Sequence, residues 1–410
     1  MDKICFVVGL YGDEVNGGAE KHCKMLAEKA TSLYAVDVLT STANNYTTFA
    51  PFFAEGTTSL KKVTVRRFRS ENFIPATFVE AYKKSRLGRK IRRFFYKSGI
   101  LRHIASIFPI WAFPLAKELK TLRAHGLFSQ ELIDYLTRNH DAYKVIFLIS
   151  YPNPNFYFIN EAIGRKCVLI PTAHNEGDFF RSYLTHIFTS IKHIAFNTEA
   201  ERLLCRDIFG KKMADSSILA VGTELIPPAA YKTIRQKFQL PDRYILYFGR
   251  ITKEKIGNLL AWFLKYKQIS TDSVKLVLTG GLFMDKIDHP DIIYTGFVTE
   301  SEKTALIQHS LLVVNPSDRE SLSLLLLETM QLGKPSLVNG KSEVLKQHCI
   351  DSSFASAYYI SEKDFITKLD RLLKLSPEQK KELSTSCVNY VVQNYNWSII
   401  LNRLEKIVEK

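Results

Sequence analysis

The chain of 410 residues reads as an α/β protein built from two doubly wound parallel sheets, and three features of the sequence say so. Short apolar runs recur along it, separated by stretches of helical spacing, as expected of a parallel sheet covered on both faces. A chain this long exceeds what one core of ordinary size accommodates, so two domains are expected. The pattern also breaks once, at the two prolines of "LIPPAAYK", and then restarts.

The first strand is "KICFVVGL" (Lys3–Leu10), followed by the loop "YGDEVNGGAE" and a helix from Gly18 to about Ala30. "AVDVLT" (Ala35–Thr40) and the alternating "KVTVRRF" (Lys62–Phe68) are the next strands. After a long insert, "YKVIFLIS" (Tyr143–Ser150), "KCVLIPTAH" (Lys166–His174), "HIAFNTEAE" (His193–Glu201) and "SSILAVGTE" (Ser216–Glu224) complete the first sheet. Beyond the proline break, near residues 225–240, the strands are "RYILYFGR" (Arg243–Arg250), "VKLVLTGG" (Val274–Gly281), "DIIYTGFV" (Asp291–Val298), "SLLVVNPS" (Ser310–Ser317) and "KPSLVNG" (Lys334–Gly340). The expected domains are 1–228, carrying an insert at about 70–130 and completed by a C-terminal helix at 393–410, and 229–392. Ligands of such sheets bind beyond the carboxyl ends of the strands, and two facing domains would wall a cleft from both sides.

Composition narrows the class. At 46% hydrophobic and 24% charged the chain is globular and ordered. The N-terminal apolar run is short and bounded by acids, which suits a strand better than a signal peptide. "IASIFPIWAFPL" (Ile104–Leu115) is too short and too rich in proline for a spanning helix, which needs about 20 apolar residues. Six scattered cysteines without a C-x-x-C spacing speak against a zinc site or disulfide framework and fit a reducing cytosol. No Asp-x-Asp, H-x-x-x-H pair, Walker loop or G-x-S-x-G elbow is present, so no metal is expected.

The net charge of +15 is concentrated. Residues 81–117 hold ten Lys and Arg and no Asp or Glu, with Ile91, Phe94, Phe95, Ile100 and Leu101 interleaved at roughly helical spacing. This segment fits the anionic inner face of a membrane, a solvated basic helix face, or nucleic acid. No RNA- or DNA-binding motif accompanies it, so nucleic acid is not expected as a partner.

Candidate chemistry clusters just after strands. "YFGRITKEK" sets Gly249 and Arg250 at a strand end, with Lys255 where a helix should begin, an anion site suited to a diphosphate. "TGFV" (Thr295–Val298), which includes Gly296, Phe297 and Val298, ends another strand and offers backbone N–H and C=O groups to a nucleobase edge. "VNPSDRESLSLLLLE" puts Glu320 or Ser321 near a helix start and Glu328 about two turns on. Ser321 and Ser323, on either side of Leu322, are small enough to let ligand oxygens approach the backbone amides there. Among so many leucines, a buried Glu328 needs a polar partner, either ligand hydroxyls or a lysine; otherwise it faces solvent. "NGGAEKH" (Asn16–His22) holds Gly17 and Gly18 ahead of a helix, and His174 follows a strand in "PTAHNEGDFF".

The ordered series "GGAEKHCKMLAEKA", "PTAHNEGDF", "FNTEAE", "VGTE", "YFGRITKEK", "TGFV", "NPSDRESLSLLLLE" and "GKPSLVN" resembles the family 4 glycosyltransferases of the GT-B fold, most closely over residues 244–345. The E-x7-E element of that family falls at Glu320 and Glu328. The resemblance implies a retaining, metal-independent hexosyltransferase that uses a nucleotide-sugar donor and no further cofactor. Arg250 and Lys255 would then bind the donor diphosphate, and Glu320 the sugar hydroxyls near the anomeric carbon. Ser321 and the amides after it would contact sugar and phosphate, and Glu328 the ribose. Gly296–Val298 would contact the base, Gly17 and Gly18 the phosphates, and His174 the sugar. Ile256, between Lys255 and Gly257, departs from the family's compact lysine-glycine pair. The expected acceptor is a growing surface polysaccharide or lipid-linked glycan, met in the cytoplasm at the inner face of the cytoplasmic membrane. The alternatives are a soluble transferase with a small-molecule or protein acceptor, and a catalytically silent scaffold of the same fold.

Overall fold

The structure, a computed structural model, describes residues 1–15, 17–71 and 73–410. The chain divides into two compact units, Met1–Gly222 with Ile400–Lys410, and Thr223–Ile399.

The first unit holds eight strands: β1 (Lys3–Val7), β2 (Ala35–Ser41), β3 (Gly56–Leu60), β4 (Val63–Phe68), β5 (Val145–Ile149), β6 (Cys167–Ile170), β7 (His193–Phe196) and β8 (Ser216–Ile218). Their order across the sheet is β3-β4-β2-β1-β5-β6-β7-β8, parallel throughout except for the β3–β4 hairpin. The parallel strands pair through evenly spaced, slanted hydrogen bonds and need crossovers to return, which the intervening helices supply. β1, β5 and β6 are almost wholly buried, which explains their near-continuous apolar sequence. β3, "GTTSL", is exposed along most of its length and lies at the sheet edge, so it has no apolar alternation to announce it.

The second unit holds β9 (Tyr244–Phe248), β10 (Lys275–Thr279), β11 (Ile292–Gly296), β12 (Val313–Asn315), β13 (Ser336–Asn339) and β14 (Ala357–Tyr359). All pairs are parallel, in the order β11-β10-β9-β12-β13-β14. Counted from its own first strand this is 3-2-1-4-5-6, the doubly wound arrangement whose direction reverses between β9 and β12. Successive residues of β9 feed opposite layers. Ile245 and Tyr247 pack with Phe263, Leu276 and Phe365, while Tyr244 and Leu246 pack with Leu306, Val277 and Val313.

The basic insert folds as four helices, Pro75–Lys84, Arg86–Lys97, Leu101–Ile107 and Ala112–Arg123. Among the described residues no helix is long and apolar enough to cross a membrane, and all six cysteines are free and buried.

Candidate active site

The second unit's chemistry gathers where its sheet reverses. β9 ends at Phe248, and Gly249 and Arg250 follow. The Gly249 amide donates to the Thr279 carbonyl, the Gly280 amide to the Gly296 carbonyl and the Ile251 amide to the Gly281 carbonyl, each at 2.9 Å, so the ends of β9, β10 and β11 are tied together. Gly280 is required there. Its φ of +127° disfavours a side chain, and a Cβ would overlap the Gly249 carbonyl oxygen. The Tyr247 hydroxyl donates to the Arg250 carbonyl at 2.8 Å and fixes the turn, leaving the Arg250 side chain exposed. Burial, with the Glu320 charge nearby, pushes the Tyr247 phenol well up, against the pull of Arg250.

Lys255 stands on a single helical turn, Lys253–Ile256, with Thr252 as its cap and Gly257 as its end. One turn has too few aligned peptides to act as a helix terminus, so any anion site here rests on side chains. The Lys255 ammonium donates to Ser317 Oγ and to a Glu320 carboxylate oxygen, both at 3.3 Å. The loop after β9 thus meets the loop after β12.

That second loop is braced from within. Asn315, the last residue of β12, accepts from the Ser317 amide at 3.1 Å and donates to Ser323 Oγ at 3.0 Å. Asn339, ending β13, donates to the Pro316 carbonyl at 3.0 Å. His348, buried and held neutral as burial lowers its pKa to about 4, bridges the Leu322 carbonyl at 2.7 Å and the Tyr390 hydroxyl at 2.8 Å. The helix begins only at Leu324, after Ser323 in a left-handed conformation with φ of +69°. Glu320 and Ser321 therefore lie in the loop, four and three residues ahead of the helix, near its start as the sequence indicated. Leu322 and Ser323 are buried, and Glu320 and Ser321 are half-buried.

Glu328 is buried on this helix, and its carboxylate meets the Lys303 ammonium at 2.8 Å with both side chains 5% exposed. Lys303 also pairs with Glu300 at 2.6 Å and lies over the Phe248 ring at 5.6 Å. Of the partners the sequence left open for Glu328, the structure supplies the lysine. At the end of β11, Gly296 has a positive φ of +71°, Phe297 is exposed and Val298 is half-buried.

Three predicted residues belong to the first unit. Gly17 precedes the helix Gly18–Ala30, and a Cβ on it would overlap the Glu20 carboxylate. Asn16, which opens the predicted loop, lies outside the described residues. Half-exposed, His174 has its Nε2 3.2 Å from the carboxylate of Glu176, which accepts from the Tyr151 hydroxyl. The turn before it is strained, because Thr172, a β-branched residue, sits at φ of +50°. Glu201 holds it. One carboxylate oxygen accepts from the Ala173 amide at 2.5 Å and the other from the Asn197 amide at 2.7 Å. Burial pushes Glu201 up to about 8 from its ordinary 4.5, against the pull of those amides. Nothing in "FNTEAE" alone distinguished Glu201 from a helix-start acid, since its role depends on β6 lying beside β7. Among the described residues no group of three or more His, Cys, Asp or Glu is placed to hold a metal ion.

Residues 242–374 match the family model described as glycosyl transferases group 1. That segment is a glycosyltransferase domain, and it contains every second-unit residue discussed above except Tyr390. No curated protein matches the chain significantly. Among solved structures, sucrose-phosphate synthase (tll1590) from Thermosynechococcus elongatus superposes with a TM-score of 0.68 at 15% identity, covering 100% of this chain and 98% of that one. Anabaena Alr3699/HepE in complex with UDP and glucose gives 0.67 at 12% identity, covering 100% of both chains. The E. coli trehalose-6-phosphate structure bound with UDP-2-fluoro glucose gives 0.66 at 10% identity, over 100% of this chain and 99% of that one. The likeness establishes the GT-B fold.

Two outcomes follow for stability. Glu328→Ala leaves the buried Lys303 ammonium with the more exposed Glu300 in place of two carboxylates and should cost about 1.5–3 kcal/mol in urea unfolding. The pair Glu328→Leu with Lys303→Met should recover most of that loss. Glu201 titrates at 4.5 when unfolded and about 8 when folded, so between those values the folded state binds the extra proton and stability falls as pH rises. The fall is up to about 1.4 kcal/mol per pH unit. Relative to wild type, Glu201→Gln should flatten the decline in melting temperature across that window.

Proposed function

We propose that this protein is a retaining, metal-independent hexosyltransferase that takes sugar from a nucleotide-sugar donor. Its acceptor is a growing surface-polysaccharide or lipid-linked glycan at the cytoplasmic face of the membrane. The observation that supports this most is the Lys255–Glu320 contact at 3.3 Å, which joins the loops after β9 and β12 at the reversal point of a nucleotide-binding type of sheet. There Arg250 and Lys255 supply positive charge for a diphosphate leaving group, fixed before the reaction and strongest where negative charge develops. Glu320, held at the mouth of the braced loop, accepts hydrogen bonds from sugar hydroxyls close to the anomeric carbon. Ser321, Leu322 and Ser323 carry the amides assigned to sugar and phosphate, with Gly249 as the close-approach position.

Glu328 is assigned to the ribose through a carboxylate that Lys303 already orients, and Gly296, Phe297 and Val298 to the base. From the first unit the proposal takes His174 for the donor sugar and Gly17 and Gly18 for the phosphates. With the charge of the leaving group met by Arg250 and Lys255, no resident metal is required. The relatives solved with UDP-2-fluoro glucose and with UDP and glucose make a UDP-hexose the first donor to try.

The test is release of nucleoside diphosphate from a panel of nucleotide sugars, with and without EDTA. We expect turnover with at least one donor, unchanged by EDTA. Arg250→Ala and Glu320→Ala should each lower kcat by roughly 10²–10³-fold. No turnover with any donor, or full activity in both variants, would sink the proposal; loss of activity in EDTA would remove its metal-independent part.

A further inference from the structure

The insert has one side fastened to the first unit and another facing outward. Underneath, Gly88 packs so closely on Pro114 that a Cβ would lie 2.7 Å from it. Arg92 is fully buried, Arg89 pairs with Asp178, and Glu118 accepts from the Tyr183 amide at 3.0 Å. These contacts fix the helices Arg86–Lys97 and Ala112–Arg123 in place.

The outward side is apolar to an unusual degree. Among the described residues 23 large hydrophobic side chains are exposed, and nine of them fall between Ile74 and Phe113, about a tenth of the chain. Two of them, Phe94 and Phe113, end a row of aromatic rings that runs through the half-buried Phe95 and Trp111. Phe94 and Phe95 have ring centroids 5.8 Å apart, Phe95 and Trp111 6.2 Å, and Trp111 and Phe113 6.1 Å. This row joins the helix Arg86–Lys97 to the turn at 108–111, on which Phe108 and Ile110 are exposed, with Ile107 exposed just before it. Cations border the row. Leu87, Lys90, Phe94 and Lys97 follow one another at helical spacings of three and four, and Arg93 lies beside them. Lys90, Arg93 and Lys97 are exposed and have no ion-pair partner among the described residues.

We propose that this face docks on an anionic lipid bilayer. Phe94, Phe108 and Phe113 enter the boundary between headgroups and acyl chains, and Lys90, Arg93 and Lys97 sit at the level of the lipid phosphates. A second copy of the chain is disfavoured as occupant, because two such faces would bring like charges together. Nucleic acid would engage the cations but gives no account of apolar side chains grouped at the turn. The inference rests on the proposed acceptor at a membrane, but vesicle binding needs no turnover, so either can fail without the other.

The test is flotation of the full chain with vesicles of phosphatidylcholine alone, or with an equal share of phosphatidylglycerol. We expect binding to the anionic vesicles roughly tenfold or more above the neutral ones. Lys90→Glu, Arg93→Glu and Lys97→Glu together should remove that preference. Phe94→Ser, Phe108→Ser and Phe113→Ser together should weaken binding at least about tenfold with the melting temperature held, since these side chains are exposed. If the triple variant does not fold, Phe108→Ser alone serves, read by the same flotation. Brominated phosphatidylglycerol should quench wild-type tryptophan fluorescence and lose most of that effect in Trp111→Phe. Equal binding to both vesicles, no binding to either, or serine variants that bind like wild type would overturn the proposal. So would a dimer that the serine variants abolish, or RNA binding that they leave intact.

Discussion

Strand β9 has a parallel partner on each side, and the rest of the second unit follows from that. The chain leaves β9 for β10 on one hand and later enters β12 on the other, so the two crossovers cover opposite faces of the sheet. The loops leaving β9 and β12 therefore part from each other, and side chains on them can meet a ligand without a helix in the way. β9 itself must be apolar on both faces, as Tyr244–Phe248 is. Its end must then turn sharply, as the glycine contacts between Gly249 and Gly280 allow.

What holds the candidate site is a set of buried hydrogen bonds, with little help from helix ends. Lys255 sits on one isolated turn, and Glu320 precedes its helix by four residues. Their mutual contact is kept in place by Asn315, Asn339 and His348, each satisfying backbone or hydroxyl groups that would otherwise be stranded away from water. A loop bound this way holds its shape before a ligand arrives, which is what electrostatic stabilisation of a leaving group requires.

The fold was legible wherever burial wrote itself into sequence. Runs such as "YILYF" and "KLVLT" are buried on both faces and can hardly be anything but central strands. β3 escaped notice because its residues face water, and β14 because three residues carry no period. In the site, the residue types and their order after each strand were visible, but their partners were not. Lys303 lies 25 positions before Glu328 and meets it only because the helix Glu300–His309 packs beside β9 and β12. The start of the helix at Leu324 turns on a left-handed serine, a conformation that the letter Ser does not signal. Likewise the basic charge of the insert was plain, whereas the aromatic row from Phe94 to Phe113 exists only because a turn brings Trp111 back to Phe95.

The His348 brace has a direction. A carbonyl oxygen can only accept, so Leu322 obliges Nε2 of the ring to carry its single proton. Nδ1 must then receive one from the Tyr390 hydroxyl, whose own oxygen is left to receive from Tyr395, 3.4 Å away. Every proton in this relay points the same way, from the long helix Pro377–Tyr395 toward the loop that carries Glu320. Charging the imidazole, which burial defers to about pH 4, would give Nδ1 a proton of its own. The tyrosine hydroxyl would then have to rotate, and the polarity of the whole line would reverse beyond the ring.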